Sequence, residues 1–450
     1  MALSGIQILK LLPRTNCGEC GVPTCLAFAM SLAQGKAELG KCPHVSEEGK
    51  AALSAASAPP IRTVALGAGG NRPQIGGETV LFRHEKTFVN KTALGVLLDE
   101  TMSEADVQAR IDRFNAMRIV RVGLTLRPEI IAVRATSAEK LGALADLAAA
   151  KTDAALVLMS ADVAALTAVA TKHKDRKPLL YAATADNVAA LGELAKKLAV
   201  PVAVRASGID AVAEITKKLE SMGVQDIVID PGPADMKTAY AGLIHTRRAA
   251  IQSKVKEVGY PTLFLPFELT GDIDLQTLYT SVGIAKYASA IIMSDIPGHA
   301  LFPLLLERLN VYTDPQRPMK TEEGIYPLNN PGPDSPVLVT CNFSLTYFII
   351  TGEVETSRVP AWLFVKDTEG LSVLTSWAAG KFSGDDIGIA LKKAVQVKGI
   401  ELTKRDVVIP GMTAVISGDL EEELGAGWTV KIGPREGGII PSYLRQSYGG

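Results

Sequence analysis

The sequence predicts an α/β chain in three parts: a small cysteine-bearing unit, a long βα repeat and a smaller open-sheet unit. Three observations carry this. Four of the five cysteines lie between positions 17 and 42. From about residue 94, short apolar runs alternate with Ala/Leu/Lys-rich helical stretches. A Pro-rich break, Asp314 to Pro318 and then Pro327 to Pro336, separates that repeat from a second α/β pattern. A chain of 450 residues has room for these parts, since a domain takes roughly 100–200 residues. Hydrophobic residues make up 47% and aromatics only 5%. That composition suits an Ala/Val/Ile/Leu interior and excludes disorder.

Residues 1–57 form the first unit. An apolar stretch of Ile6, Leu9, Leu11 and Leu12 precedes the cysteines. A helix is expected over Leu26–Leu39 and a short one over Ser46–Ala56, with Ser46 as its cap and Glu47 and Glu48 in its first turn. Ala55 to Pro60 has linker composition, so the unit is expected to move. Residues 58–93 read as linker and hairpin, with strands at Thr63–Leu66 and Thr79–Phe82 around Gly67-Ala-Gly-Gly-Asn-Arg-Pro73. The third glycine of a dinucleotide-binding loop is missing, and Pro73 stands where its helix would open.

Residues 94–318 hold eight β-rich runs: Leu94–Asp99, Ile130–Arg134, Ala155–Met159, Leu179–Ala182, Val202–Arg205, Asp226–Asp230, Thr262–Pro266 and Ala290–Ser294. Helices are expected between them at Glu104–Met117, Ser137–Ala150, Ala161–His173, Asn187–Leu198, Ile209–Met222 and Asp235–Val258. Eight βα units of this kind match a TIM barrel, with a doubly wound open sheet as the second reading. The runs are nearly continuous in apolar residues, as parallel strands covered on both faces require. Residues 325–450 predict a small open sheet with strands at Val337–Thr340, Ala361–Val365, Val407–Ile409 and Trp428–Ile432. Its helices are expected at Ser344–Ile350, Gly384–Val397 and Met412–Glu423.

Charge is balanced, 47 Lys+Arg against 48 Asp+Glu. Nucleic-acid binders carry a basic excess, so no nucleic-acid partner is expected. No apolar run reaches the roughly 18–20 residues that span a bilayer. The best, Ala154 to Ala170, is broken by Ser160 and Asp162, and Lys10 breaks the apolar patch at the start. No membrane partner and a cytoplasmic, anaerobic setting are expected. Clustered cysteines in that setting favour metal over disulfides.

Cys17, Cys20, Cys25 and Cys42 are spaced C-x2-C-x4-C-x16-C. Four thiolates suit an iron–sulfur cubane or a structural zinc. Gly18, Gly21 and Pro23 supply the sharp turns that let three cysteines face one object. Zinc sites usually use two C-x2-C pairs, whereas here one pair joins two isolated cysteines, which favours a [4Fe-4S] cluster. Zinc and unliganded buried thiols remain the other readings. Cys341 reads as a small buried apolar residue.

The string Cys17-Gly-Glu-Cys-Gly-Val-Pro-Thr-Cys25, followed by Cys42-Pro43, resembles the N-terminal motif of the corrinoid/iron–sulfur protein large (gamma) subunits of the reductive acetyl-CoA pathway. The order of parts agrees along the whole chain. The resemblance implies an iron–sulfur domain, a TIM barrel and a C-terminal corrinoid-binding domain. It implies a heterodimer with a barrel-based small subunit, and a cobalt corrinoid where the C-terminal domain meets that partner. Co(I) would take a methyl group from methyltetrahydrofolate through a separate methyltransferase and pass it to CO dehydrogenase/acetyl-CoA synthase. The cluster, fed by a reductive activator or ferredoxin, would relay electrons that rescue Co(II).

The five histidines are His44, His84, His173, His245 and His299. The C-terminal domain therefore supplies no imidazole, and a cobalamin-type corrinoid there is expected base-off. Removing the lower ligand favours Co(I). Cobalt would be the nucleophile, so no catalytic side chain is named. Ring amides and a phosphate want small residues, hydroxyls and backbone N–H groups at strand-to-helix loops. The candidates are Thr340 and Thr346 after the first strand, and Gly370, Leu371, Ser372, Val373, Leu374 and Thr375, with Ala378, after the second. Gly411 and Met412 follow the third, and Gly433 and Pro434 the last. Polar barrel strand ends are Asp99, Arg134, Arg205, Asp230, Glu268 and Asp295. Two other functions compete: a self-contained barrel methyltransferase or oxidoreductase fed by its own cluster, and a pure electron-transfer adaptor.

Overall fold

The computed structural model describes residues 5–33, 37, 39–46, 49, 59–70, 72–121, 123–316 and 319–449. It divides into two compact units, one of residues 1–117 and 128–312, the other of residues 118–127 and 313–450. Among the described residues no helix is long and apolar enough to cross a membrane.

In the first unit, helices Gly5–Leu11 and Cys25–Ala33 pack together. They bury Ile8, Leu12, Phe28 and Ala29 with Cys25, Cys42 and Val45 in one apolar cluster. The expected helix at 46–56 and the linker at 55–60 fall largely outside the described residues.

A hairpin follows, β1 (Thr63–Ala65) antiparallel to β2 (Gln74–Gly76). The second strand lies earlier than the 79–82 expected. Gly76 and Gly77 both take φ of +78°, which turns the chain out of the ladder. The carbonyls of Val80 and Leu81 then accept from the buried Arg247 guanidinium, at 2.7 and 3.2 Å, instead of from a strand. Val64, Leu66 and Ile75 of the hairpin pack into the barrel interior.

The barrel comprises β3 (Ala93–Asp99), then, past an inserted pair β4 (Ile119–Arg121) and β5 (Leu124–Leu126), β6 (Ile130–Arg134), β7 (Ala155–Met159), β8 (Leu179–Ala183), β9 (Val202–Arg205), β10 (Ile227–Asp230), β11 (Leu263–Phe264) and β12 (Ala290–Met293). The eight barrel strands run parallel in the order β10-β9-β8-β7-β6-β3-β12-β11. A parallel bridge from Ile229 to Thr262 brings the two ends together. This is the closed βα arrangement rather than the doubly wound alternative. Helices cross over between successive strands, and Ser103, Ser137, Asp162, Asp235 and Asp272 cap theirs by accepting from first-turn amides. The helix expected to run from 235 to 258 stops at Ile251.

The antiparallel pair β4–β5 explains the long interval between the first two barrel strands. It clusters with the second unit rather than with the barrel, which corrects the continuous 94–318 boundary. There Arg121 lays its guanidinium 4.0 Å from the Phe348 ring centre.

The second unit's sheet has the order β13-β15-β14-β16-β17, from β13 (Gly324–Leu328), β14 (Val337–Cys341), β15 (Ala361–Lys366), β16 (Asp406–Ile409) and β17 (Thr429–Ile432). The last four are parallel, and β13 runs antiparallel to β15 at the edge. That edge strand was hidden in the Pro-rich break, because Pro327 is tolerated only where a ladder donor is not needed. Alternate residues serve two cores: Val337, Val339 and Cys341 on one face, Leu338, Leu363 and Val365 on the other. Helices at Val373–Ala378 and Ile440–Tyr448 were not anticipated.

Arg308, 1% exposed, donates to Glu129 at 2.7 Å and to the Thr92 carbonyl at 2.9 Å inside the first unit. Arg308→Met removes the 2.7 Å cationic partner of the buried Glu129 carboxylate and leaves it Lys91 at 3.9 Å, which should cost about 3–5 kcal/mol. Adding Glu129→Gln should restore part of that loss, as read from denaturant midpoints. Equal midpoints for the single and double variants would contradict this.

Candidate cofactor sites

The cysteine loop is shaped by three left-handed residues, Asn16 (φ 50°), Gly18 (φ 78°) and Gly21 (φ 86°). Gly21 N–H donates to the Gly18 carbonyl at 2.9 Å, which closes a turn around Cys20. The Asn16 carboxamide oxygen accepts from Cys25 N–H at 2.8 Å and ties the loop's start to its end. Thr24 then caps the helix that opens at Cys25, accepting from Ala27 N–H at 3.1 Å. Cys25 and Cys42 are buried, Cys20 is half-buried and Cys17 is exposed. Cys20, Cys25 and Cys42 join one apolar cluster, and Cys17 faces Glu19 and His44 instead.

Sulfur spacing tests the choice of metal. Among the described residues no three of the four cysteines bring their sulfurs within 4.8 Å of one another. A tetrahedral zinc with Zn–S of about 2.3 Å would set its sulfurs about 3.8 Å apart.

The thirteen candidates in the C-terminal unit all sit at the carboxyl end of parallel strands. Ligands of open parallel sheets bind outside that edge, where strand order reverses. Here the reversal falls between β14 and β16. Thr340 is the penultimate residue of β14, 2% exposed, with its hydroxyl buried and making no hydrogen bond of ordinary geometry. Burial pushes the Cys341 thiol above its usual pKa, opposed in part by the Phe343 backbone and by the Thr346 and Thr340 hydroxyls. Cys341 is fully buried in the core, as expected of a packing residue.

Asn342, which follows β14, organises the loop after β15. Its carboxamide oxygen accepts from Thr368 N–H at 3.0 Å, Thr368 Oγ1 at 2.9 Å and Gly370 N–H at 2.9 Å. Its amide donates to Asp367 at 2.7 Å. Glu369 and Gly370 both take left-handed φ, 57° and 80°, to complete that turn. Leu371 N–H is taken by the Thr368 carbonyl, and the Ser372 and Thr375 hydroxyls bond each other at 2.9 Å. Val373 packs against the core, whereas Ala378, Leu374 (42% exposed) and Trp377 (43%) face outward.

Gly411 and Gly433 fasten two loops together. A Cβ on Gly411 would stand 2.5 Å from the Gly433 carbonyl oxygen. Gly411 N–H donates to the Pro434 carbonyl at 3.0 Å, and Gly433 N–H to that of Ile409 at 2.9 Å. These glycines let two loops touch, and their N–H groups, like that of Gly370, are spent on the protein. What the edge leaves for a flat ligand is hydroxyls and exposed apolar side chains, Met412 among them.

At the barrel, the six charged strand ends are all paired. Asp99 meets Arg134 at 2.6 Å, and Asp295 meets Arg113 at 2.7 Å. Arg205 bridges Asp230 at 3.1 Å and Glu268 at 2.6 Å. Tyr181, a residue the sequence reading missed, donates to Asp230 at 2.6 Å and takes a bond from Arg205. Its signal was a lone phenol near the end of the apolar run Leu-Leu-Tyr-Ala-Ala. Burial raises the Asp230 pKa, against the pull of Arg205, Tyr181 and the Gly232 N–H. Burial beside Asp230 raises that of Tyr181.

Comparison with known proteins bears on both sites. The family model described as CO dehydrogenase/acetyl-CoA synthase delta subunit matches residues 63–444, and an Fe–S cluster model matches residues 12–44. The corrinoid/iron–sulfur protein large subunit of Moorella thermoacetica is 40% identical over 448 residues, covering 99% of both chains. The acetyl-CoA decarbonylase/synthase complex subunit gamma of Methanosarcina acetivorans is 35% identical over 464 residues, covering 99% of this chain and 98% of that one. The same subunit of Methanopyrus kandleri is 33% identical over 460 residues, with the same coverage. Among solved structures, Yersinia pestis dihydropteroate synthase aligns at 12% identity and a TM-score of 0.38, covering 51% of this chain and 100% of that one. The fold and the cysteine loop thus belong to a subunit of the CO dehydrogenase/acetyl-CoA synthase class. Full-length coverage and the N-terminal Fe–S match make the chain a member of the corrinoid/iron–sulfur protein large-subunit, or gamma, family.

Asn342→Ala removes the shared acceptor of the Thr368 and Gly370 amides. Each buried donor left alone costs about 1–3 kcal/mol. Hydrogen exchange of those amides should quicken by at least about tenfold while the β7 amides stay protected. Unchanged exchange at 368 and 370 would contradict the assignment.

Proposed function

We propose that this chain is the methyl-carrying subunit of its complex, with a [4Fe-4S] cluster on Cys17, Cys20, Cys25 and Cys42 and a base-off corrinoid at the carboxyl edge of the C-terminal sheet. The observation that carries this is the pairing of a C-x2-C-x4-C-x16-C loop, inside the segment matched by the Fe–S cluster model, with a histidine-free sheet edge on the same chain. When bound, the corrinoid supplies a nucleophilic cobalt for methyl transfer from methyltetrahydrofolate to acetyl-CoA synthase, and the cluster supplies single electrons.

The chain's own part is placement. The Ser372–Thr375 hydroxyl pair offers a rim for ring amides. Leu345, Ile349, Leu374, Trp377, Met412 and Val415 expose apolar surface on the same unit, which suits a ring face and a covering small subunit. No side chain need move a proton. The proposed partners are that small subunit, a methyltetrahydrofolate methyltransferase, CO dehydrogenase/acetyl-CoA synthase and a reductive activator or ferredoxin. The proposed setting is the cytoplasm. The proposed parts are 1–57 for the cluster, 58–93 for linker and hairpin, 94–318 less 118–127 for the barrel, and 325–450 for the corrinoid.

Anaerobic co-purification with the small subunit, followed by optical and EPR spectroscopy, tests the reading. A base-off Co(II) signal beside a reduced [4Fe-4S] signal is expected. Cluster without cobalt, with the small subunit present, would sink it.

A further inference from the structure

The proposed ligation leaves Glu19 and His44 unused, although they stand against one of its thiols. Cys17 Sγ, a Glu19 carboxylate oxygen and a His44 ring nitrogen all lie within 4.8 Å of one another. His44 Nε2 and Glu19 Oε2 are 3.1 Å apart. All three residues are exposed, unlike the buried Cys25 and Cys42.

Backbone geometry brings them together from two places in the chain. The left-handed Asn16 and Gly18 flank Cys17 and point the chain back on itself, with Glu19 next in line. His44 arrives two residues after the buried Cys42, on the far side of the loop. Donors of a tetrahedral ion bound at about 2.0–2.3 Å stand roughly 3.3–3.8 Å apart. Small side-chain rotations would therefore bring this trio to a single ion. The donor set is one sulfur, one imidazole nitrogen and one carboxylate oxygen. It suits a borderline cation such as Zn2+, whereas Mg2+ and Ca2+ prefer oxygen alone.

We propose that Cys17, Glu19 and His44 form a mononuclear site for a zinc-class divalent cation in the chain that lacks its cluster, with a fourth position open to water. Ion and cluster then exclude each other, because both need Cys17. Only this exclusion rests on the cluster assignment above; the three-ligand site stands on its own geometry.

The test uses the full-length chain, stripped of cluster anaerobically and titrated with Zn2+ against a chromophoric chelator. Zinc X-ray absorption should show one sulfur near 2.3 Å and nitrogen or oxygen for the rest. Glu19→Gln and His44→Gln should each weaken zinc binding at least about tenfold. Both should still take up the cluster to wild-type absorbance, which shows that they fold. Should either fail to do so, the sulfur count in the wild-type zinc protein decides alone. Zinc loaded first should retard cluster uptake in the wild type and not in His44→Gln. Three or four sulfurs per zinc, or unchanged affinity in both variants, overturns the proposal. One sulfur per zinc with zinc and cluster bound together leaves the zinc site standing and overturns Cys17 as a cluster ligand instead.

Discussion

One buried carboxamide joins the ends of the first two parallel strands in the C-terminal sheet. Asn342 accepts three hydrogen bonds from the loop after β15 and donates one to Asp367. Parallel strands cannot be linked by tight turns, so their carboxyl-end loops come from distant sequence and have no ladder to hold them. A side chain reaching sideways is what fixes one loop against the next. At the other end of the sheet the contact of Gly411 with Gly433 does the same by close backbone approach. The candidate corrinoid edge depends on these two fastenings.

The two proposed cofactors ask opposite things of the chain. A cubane needs sulfurs held apart at the corners of one small object, and the N-terminal loop answers with left-handed turns at Asn16, Gly18 and Gly21. A corrinoid needs a broad edge with few fixed charges, and the C-terminal loops answer with hydroxyls and exposed apolar side chains. The barrel differs from both. Its strand-end charges are held in ion pairs, with Arg205 shared by Asp230 and Glu268 and Asp295 paired with the helical Arg113.

Much of the fold was legible because the barrel strands are buried on both faces and read as apolar runs. The cysteine spacing was legible for a chemical reason, since four thiolates near one another have few other uses. Other features depended on partners remote in sequence. The carbonyls of Val80 and Leu81 are claimed by Arg247, so a β-rich run there is no strand. The strands at 119–121 and 124–126 are short and mostly exposed, and Arg121 stacks on Phe348 far along the chain. Pro327 disguised an edge strand. In each case local pattern was overruled by a contact that only the fold reveals.

The central claim is that two cofactor sites on one chain have separable tasks, electron relay at the cysteine loop and methyl carriage at the sheet edge. Cys20→Ala in the anaerobic complex tests it most directly, with reductive activation and methyl transfer measured separately. The account predicts that reductive activation is lost while methyl transfer from pre-reduced protein survives. Simultaneous loss of both, in protein that retains its corrinoid, would contradict it.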